Sequence, residues 1–220
     1  MKFKKLTAIG AGVALALGSV FGVSLAASAV DVPLTSIGAE GSSYPANQWF
    51  VGDPAGPALT EDVDGLHIDG RNQLLYGQSS LPTNGAAFTA FVNGASFVGT
   101  GTMTFQIPVF FDGTAKGDFT TLRPVQAGSP SASGDWISSR AVVGLPANTP
   151  VPFSDVVAAF DLAPNAEILA FGVFVNPGDS AVLRSVTVGG STWTFGVPVT
   201  APDTGAGVPT PIKKAATFTG

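Results

Sequence analysis

The feature that most constrains this chain is how often it is interrupted by turn dipeptides. Between Asn47 and Val199 these are Asp64-Gly65, Asp69-Gly70, Asn84-Gly85, Asn93-Gly94, Asp112-Gly113, Pro177-Gly178 and Gly189-Gly190. Asn-Gly and Asp-Gly supply the positive φ that tight hairpins require. The intervening runs are short and rich in Phe, Val, Thr and Ile: 66–68, 73–76, 87–92, 103–111, 119–125, 136–143, 168–175, 182–188 and 192–197. Many short strands separated by turns predict an all-β fold, an antiparallel β-sandwich or jelly roll.

Local periodicity supports this reading. Met103, Phe105 and Ile107 fall on one face of a strand and Thr102, Thr104 and Gln106 on the other, the period-2 pattern of a half-buried strand. Ile168 to Val175 is apolar on both faces and reads as a central strand covered on each side. In Ala87 to Val92 the alternation is imperfect. One short helix is expected, over Pro152 to Phe160, with Ser154 placed to cap it.

The N-terminus carries a different signal. Lys2, Lys4 and Lys5 precede an uncharged stretch from Leu6 to Ala29 that ends Ala27-Ser28-Ala29. Basic start, apolar middle and small-residue exit are the parts of a secretory signal peptide. The run is long enough to span a bilayer, but Gly10, Gly12, Gly18, Ser19, Gly22 and Ser24 dilute it, and no charge cluster stops it. The expected organisation is therefore a signal peptide over 1–29, a polar lead-in over 30–46, a β-sandwich over 47–199, and a Pro/Gly/Thr-rich tail over 200–220. Cleavage leaves no membrane span, and the product is secreted or held at the cell envelope.

Composition removes several partners and chemistries. There is no cysteine, so disulfides, zinc fingers, iron–sulfur clusters and thiol nucleophiles are excluded, and the fold must be held by its core or by a core plus an ion. Outside the leader the basic residues are scattered: Arg71, Lys116, Arg123, Arg140, Arg184, Lys213 and Lys214. Without a basic stripe, nucleic acid is not an expected partner, nor is electrostatic docking on anionic lipid. Low charge with abundant Gly, Ala, Thr and Val suits a bacterial envelope protein.

Two stretches carry a family resemblance. Asn47-Gln48-Trp49-Phe50 is followed by Val63-Asp64-Gly65-Leu66-His67-Ile68-Asp69-Gly70, and Leu169 to Val175 by Leu183 to Phe195. In this order they resemble the galactose-binding-like jelly roll of carbohydrate-binding modules, over most of 47–199. The resemblance implies a sandwich with a central strand leading to a final hairpin, and a habit of binding glycans.

Catalytic constellations are hard to build here. His67 is the single histidine and no Gly-x-Ser-x-Gly elbow occurs. Glycoside hydrolysis needs two carboxylates flanking the bond, but Glu40, Glu61 and Glu167 are far apart in sequence, and Asp112, Asp118 and Asp135 sit in turn-like contexts. No enzyme is expected. Glu61, Asp62, Asp64 and Asp69 form the densest acidic cluster; hard oxygen ligands on a turn suit a structural calcium, while a solvated acidic turn is the plainer reading. Ala201-Pro202-Asp203-Thr204-Gly205 resembles a sortase sorting signal with Ala in first place, but no apolar span follows it, so it reads as linker.

Aromatic platforms for a sugar are Tyr44, Trp49, Tyr76, Trp136 and Trp193. Trp136 ranks first, since it follows the polar stretch Gly128 to Asp135 and has Asp135 beside it to take hydroxyls; Trp49 is second. Trp193 shares a strand face with Phe195 and reads as core. For each of these rings, burial in the sandwich core is the plainer reading, since a Trp carries a large apolar area worth hiding. Two functions remain: a non-catalytic module that binds a glycan or cell-wall component, or a structural envelope or matrix protein with no small-molecule ligand. Processing is directly testable. N-terminal sequencing of exported material should begin at Val30, and recovery of Met1 would contradict the signal-peptide reading.

Overall fold

Strand pairing around Glu167–Val175 organises the molecule. A computed structural model describes residues 29–41, 44–52, 56–70, 72–112 and 118–198. The expected leader, apart from Ala29, and the expected tail lie outside these. In chain order the strands are β1 (Ala29–Val32), β2 (Gly38–Ala39), β3 (Trp49–Val51), β4 (Thr60–Asp62), β5 (Gly65–Asp69), β6 (Asn72–Pro82) and β7 (Ser96–Gly101). They continue as β8 (Thr104–Phe110), β9 (Phe119–Pro124), β10 (Asp135–Ser138), β11 (Val151–Pro152), β12 (Glu167–Val175), β13 (Ser180–Val188) and β14 (Ser191–Phe195). The helices are α1 (Gly85–Asn93) and α2 (Phe153–Asp161).

The architecture is an all-β sandwich of two sheets. One sheet runs β11-β10-β9-β8-β12-β6-β3-β2, and the other β1-β14-β13-β5-β4, with β7 on the opposite edge of β13. Pairing is antiparallel except for β1 with β14 and β2 with β3. The apolar run 168–175 is indeed central: β12 lies between β8 and β6, with Phe171 opposite Tyr76 and Gly172 opposite both Leu75 and Gln106. A register shift between Ile168 and Ala170 lets Ile168, Phe171, Val173 and Val175 all enter the main core, while Ala170 joins Phe50 and Leu75 in a smaller one. Burying a side chain of this size stabilises by about 1.5–3 kcal/mol, which is how a chain without disulfides holds together.

The hairpin signals are used unevenly. Gly189 (φ 57°) and Gly190 (φ 84°) make the two-residue turn between β13 and β14, as their left-handed preference dictates. Asn84-Gly85, by contrast, starts a helix. The Asn84 side chain accepts from the Ala87 N–H, and Gly85 is the first helical residue. Residues 87–92, read from sequence as a strand, are therefore α1, with Phe88 and Val92 buried at i and i+4. Asp161, at the end of α2, accepts from the Gly85 N–H at 3.0 Å, a carboxylate against a helix N-terminus. The expected helix forms as α2, but its N-cap is Pro152 and Ser154 lies inside it.

The segment 30–46 contributes β1 and β2 to the two sheets, and Val32 is buried. Strand β8 also departs from expectation. Thr104 and Gln106, the polar face of the alternation, are buried like its apolar face, with Gln106 Nε2 donating to Gln73 Oε1 at 3.2 Å. At the crowded centre, a Cβ on Gly172 would lie 1.9 Å from the Leu74 carbonyl oxygen. Gly172→Ala should therefore part β12 from β6 and prevent folding. A soluble variant with an unchanged melting curve would contradict this packing.

Candidate functional site: an aromatic groove between the sheets

Period-2 alternation along β14 puts Ser191, Trp193 and Phe195 on one face. Phe195 is buried and Trp193 half-buried. On its flanks Trp193 is opposite Val186 of β13 and Val30 of β1. The other sheet faces it with Trp49 of β3, register partner of Tyr76 on β6. Asn47 sets the entry to β3: its φ is 57°, a left-handed conformation that asparagine tolerates. Its N–H donates to the Gly77 carbonyl at 2.8 Å, and the Gly77 N–H donates to the Gln48 carbonyl at 3.0 Å. A Cβ on Gly77 would fall 1.8 Å from the Pro45 carbonyl oxygen, so only glycine lets this turn lie against β6.

The result is a cluster of rings whose outer members reach solvent. Tyr76 and Trp193 have centroids 4.7 Å apart, and Trp49 stands 5.4 Å from Tyr76 and 5.9 Å from Trp193. Phe171 supports them from below, 5.5 Å from Trp193. Tyr76 and Trp193 are half-buried, while Trp49 is only 3% exposed. A hollow of about 540 Å³ on one side is lined by Asp31, Ser36, Gln48 and Trp49 with the ring pair. Another of about 330 Å³ lies towards Gln78, Leu81 and Phe91. The buried Trp49 Nε1–H has no hydrogen-bond partner among the described residues, an uncommon state for a buried donor. Two rim groups are anchored: Asn47 Nδ2 donates to Ser79 Oγ at 3.0 Å, and Asp31 accepts from the Thr194 hydroxyl. Among the described residues, Asp31 is the only carboxylate lining either hollow. The groove can stack a flat ligand and hydrogen-bond its edges.

The residues ranked first from sequence lie elsewhere. Trp136 is fully buried, with its indole N–H donating to the Ser131 carbonyl at 2.9 Å and its ring between Phe88 and Phe153. It offers no face to a ligand, because α1 and α2 cover it. Asp135 is exposed beside a polar hollow of about 370 Å³ that no aromatic ring lines. Trp49 does belong to the groove, as its buried wall. Trp193, read from sequence as core, does pack against the core cluster, but it stays half-buried and also lines the groove.

The acidic side chains are drawn to different partners. Glu61 and Asp62 are neighbours on β4 and point to opposite faces. Glu61 Oε2 accepts from the Leu34 N–H at 3.1 Å. Asp62 contacts His67 Nε2 at 3.0 Å and accepts from the Asp64 N–H at 2.8 Å. The His67 hydrogen bond, then that backbone N–H, hold the Asp62 carboxyl below its ordinary range. Asp64 pairs with Arg184 at 3.5 Å, and Asp69 is exposed at the far end of β5. Among the described residues no three His or carboxylate side chains gather at one point. Away from both regions, burial pushes the Tyr44 phenol well above its ordinary range, with Glu40 adding to it.

Comparison with protein-family models, curated proteins and solved structures finds no match to this chain. What the fold and site define is a β-sandwich carrying an aromatic groove at the junction of its sheets. The reassignment of Trp136 is measurable. Trp136→Ala should destabilise the fold by about 3–5 kcal/mol, as large-to-small core changes do, and a change below about 1 kcal/mol would contradict its place in the core.

Proposed function

We propose that this protein is an exported, non-catalytic module that binds a glycan in the Trp193–Tyr76 groove. The observation that carries the proposal is the half-buried ring pair, 4.7 Å apart, beside side-chain amides and hydroxyls. A pyranose has an apolar face that stacks on such rings and equatorial hydroxyls that need amide and hydroxyl partners. The signal-like N-terminus and the resemblance to carbohydrate-binding jelly rolls support the same reading. So does the single carboxylate among the described residues that line the groove, since binding needs no acid–base pair.

One observation favours the structural alternative, an envelope or matrix protein without a small-molecule ligand. Strand β7 pairs only with β13, its sequence Ser-Phe-Val-Gly-Thr-Gly carries no charge, and Val98 is 57% exposed. Such an edge can pair with another chain. By contrast β4 carries Glu61 and Asp62, and β11 ends in Pro152.

Glycan-array binding and sedimentation on the same preparations separate the two. The glycan reading expects array binding that Trp193→Ala weakens at least about tenfold and that Ser191→Ala, which leaves the rings in place, weakens less. No array signal, together with self-association that Val98→Lys abolishes, would support the structural reading instead.

A further inference from the structure

We infer that the groove takes the interior of an extended, uncharged saccharide chain, not a chain end or a single sugar. This rests on the glycan reading of the same groove. The two hollows share Asn47, Tyr76, Ser191 and Trp193. The ring pair is thus a saddle shared by two adjacent spaces, not the floor of one blind pocket. Each space runs out to exposed residues, Ser36 and Gly190 on one side and Leu81 and Gly189 on the other. A site for a chain end needs a wall behind the terminal sugar, and among the described residues neither end of this groove supplies one. Each space also has its own side-chain amide, Gln48 in the larger and Gln78 in the smaller, so a sugar on either side of the saddle meets a hydrogen-bonding group.

Charge narrows the ligand. Among the described residues, Asp31 is the only charged side chain lining either hollow, and no basic one lines them beside it. A uronate or sulfated chain would bring like charge against it while being desolvated, which is unfavourable.

The test is calorimetric titration of the full chain with gluco-, xylo- and N-acetylglucosamine oligomers from monomer to hexamer, each also with its reducing end reduced, and with oligogalacturonate as the acidic probe. The inference expects at least one neutral series whose affinity rises by about tenfold or more from monomer to tetramer and is insensitive to end reduction. Oligogalacturonate should not bind. Gln48→Ala and Gln78→Ala should each lower hexamer affinity several-fold, because they act on opposite sides of the saddle. If a monomer binds as tightly as its hexamer, or end reduction abolishes binding, the interior-chain inference is overturned while the groove reading stands. If binding is found but Trp193→Ala leaves it unchanged, or if no oligomer binds, both fall together.

Discussion

Everything in this molecule leans on Phe171. It sits at zero exposure on the central strand β12 and lies within about 6.5 Å, centroid to centroid, of Trp49, Tyr76, Phe91, Phe105 and Trp193. Those five rings come from β3, β6, α1, β8 and β14, so one side chain ties both sheets and a helix together. Edge-to-face and offset ring pairs add about 0.5–1.5 kcal/mol each beyond area burial. In a chain with no cysteine, this ring contact does the joining that a disulfide between the sheets would otherwise do.

The candidate site follows from that joint. The rings that close the sandwich continue outward as Tyr76 and Trp193, so the groove is the solvent-facing end of the core and is held with core rigidity. A ligand stacking there meets rings whose positions are already fixed, which lowers the ordering entropy lost on binding. The same continuity means that groove residues carry part of the stability. A variant that removes hydrogen-bonding groups from the rim is therefore a cleaner probe than one that removes a ring.

Much of the fold was legible in the sequence, and the errors have identifiable physical causes. Strand content, the central position of 168–175 and the Gly189-Gly190 hairpin follow from period, apolarity and turn chemistry. Helix α1 was misread because Asn84-Gly85 serves equally as a hairpin turn and as an N-cap followed by a close-packed glycine. What decides is Val157 and Asp161, more than seventy residues away, which leave no room for a Cβ at Gly85. The site was only half legible. Trp49 lines the groove, whereas Trp136, ranked first as a platform for its polar neighbours, follows the plainer reading of core burial: those neighbours supply a carbonyl to its indole N–H and do not mark exposure. Trp193 packs against the core as its face implies, but alternation reports a face and not where the opposing sheet stops. Nothing local announces that Gly77 lets Pro45 to Gln48 fold over β6 and shape the rim.

The central claim is that ligand contact falls on the groove rings and on no other tryptophan. The chain has three tryptophans, and each contributes one indole N–H resonance, so heteronuclear NMR reads them separately. On titration with a neutral hexasaccharide that binds, the Trp193 and Trp49 indole signals should shift progressively while the Trp136 signal stays fixed. A shift confined to Trp136, or a bound ligand that moves none of the three, would contradict the account.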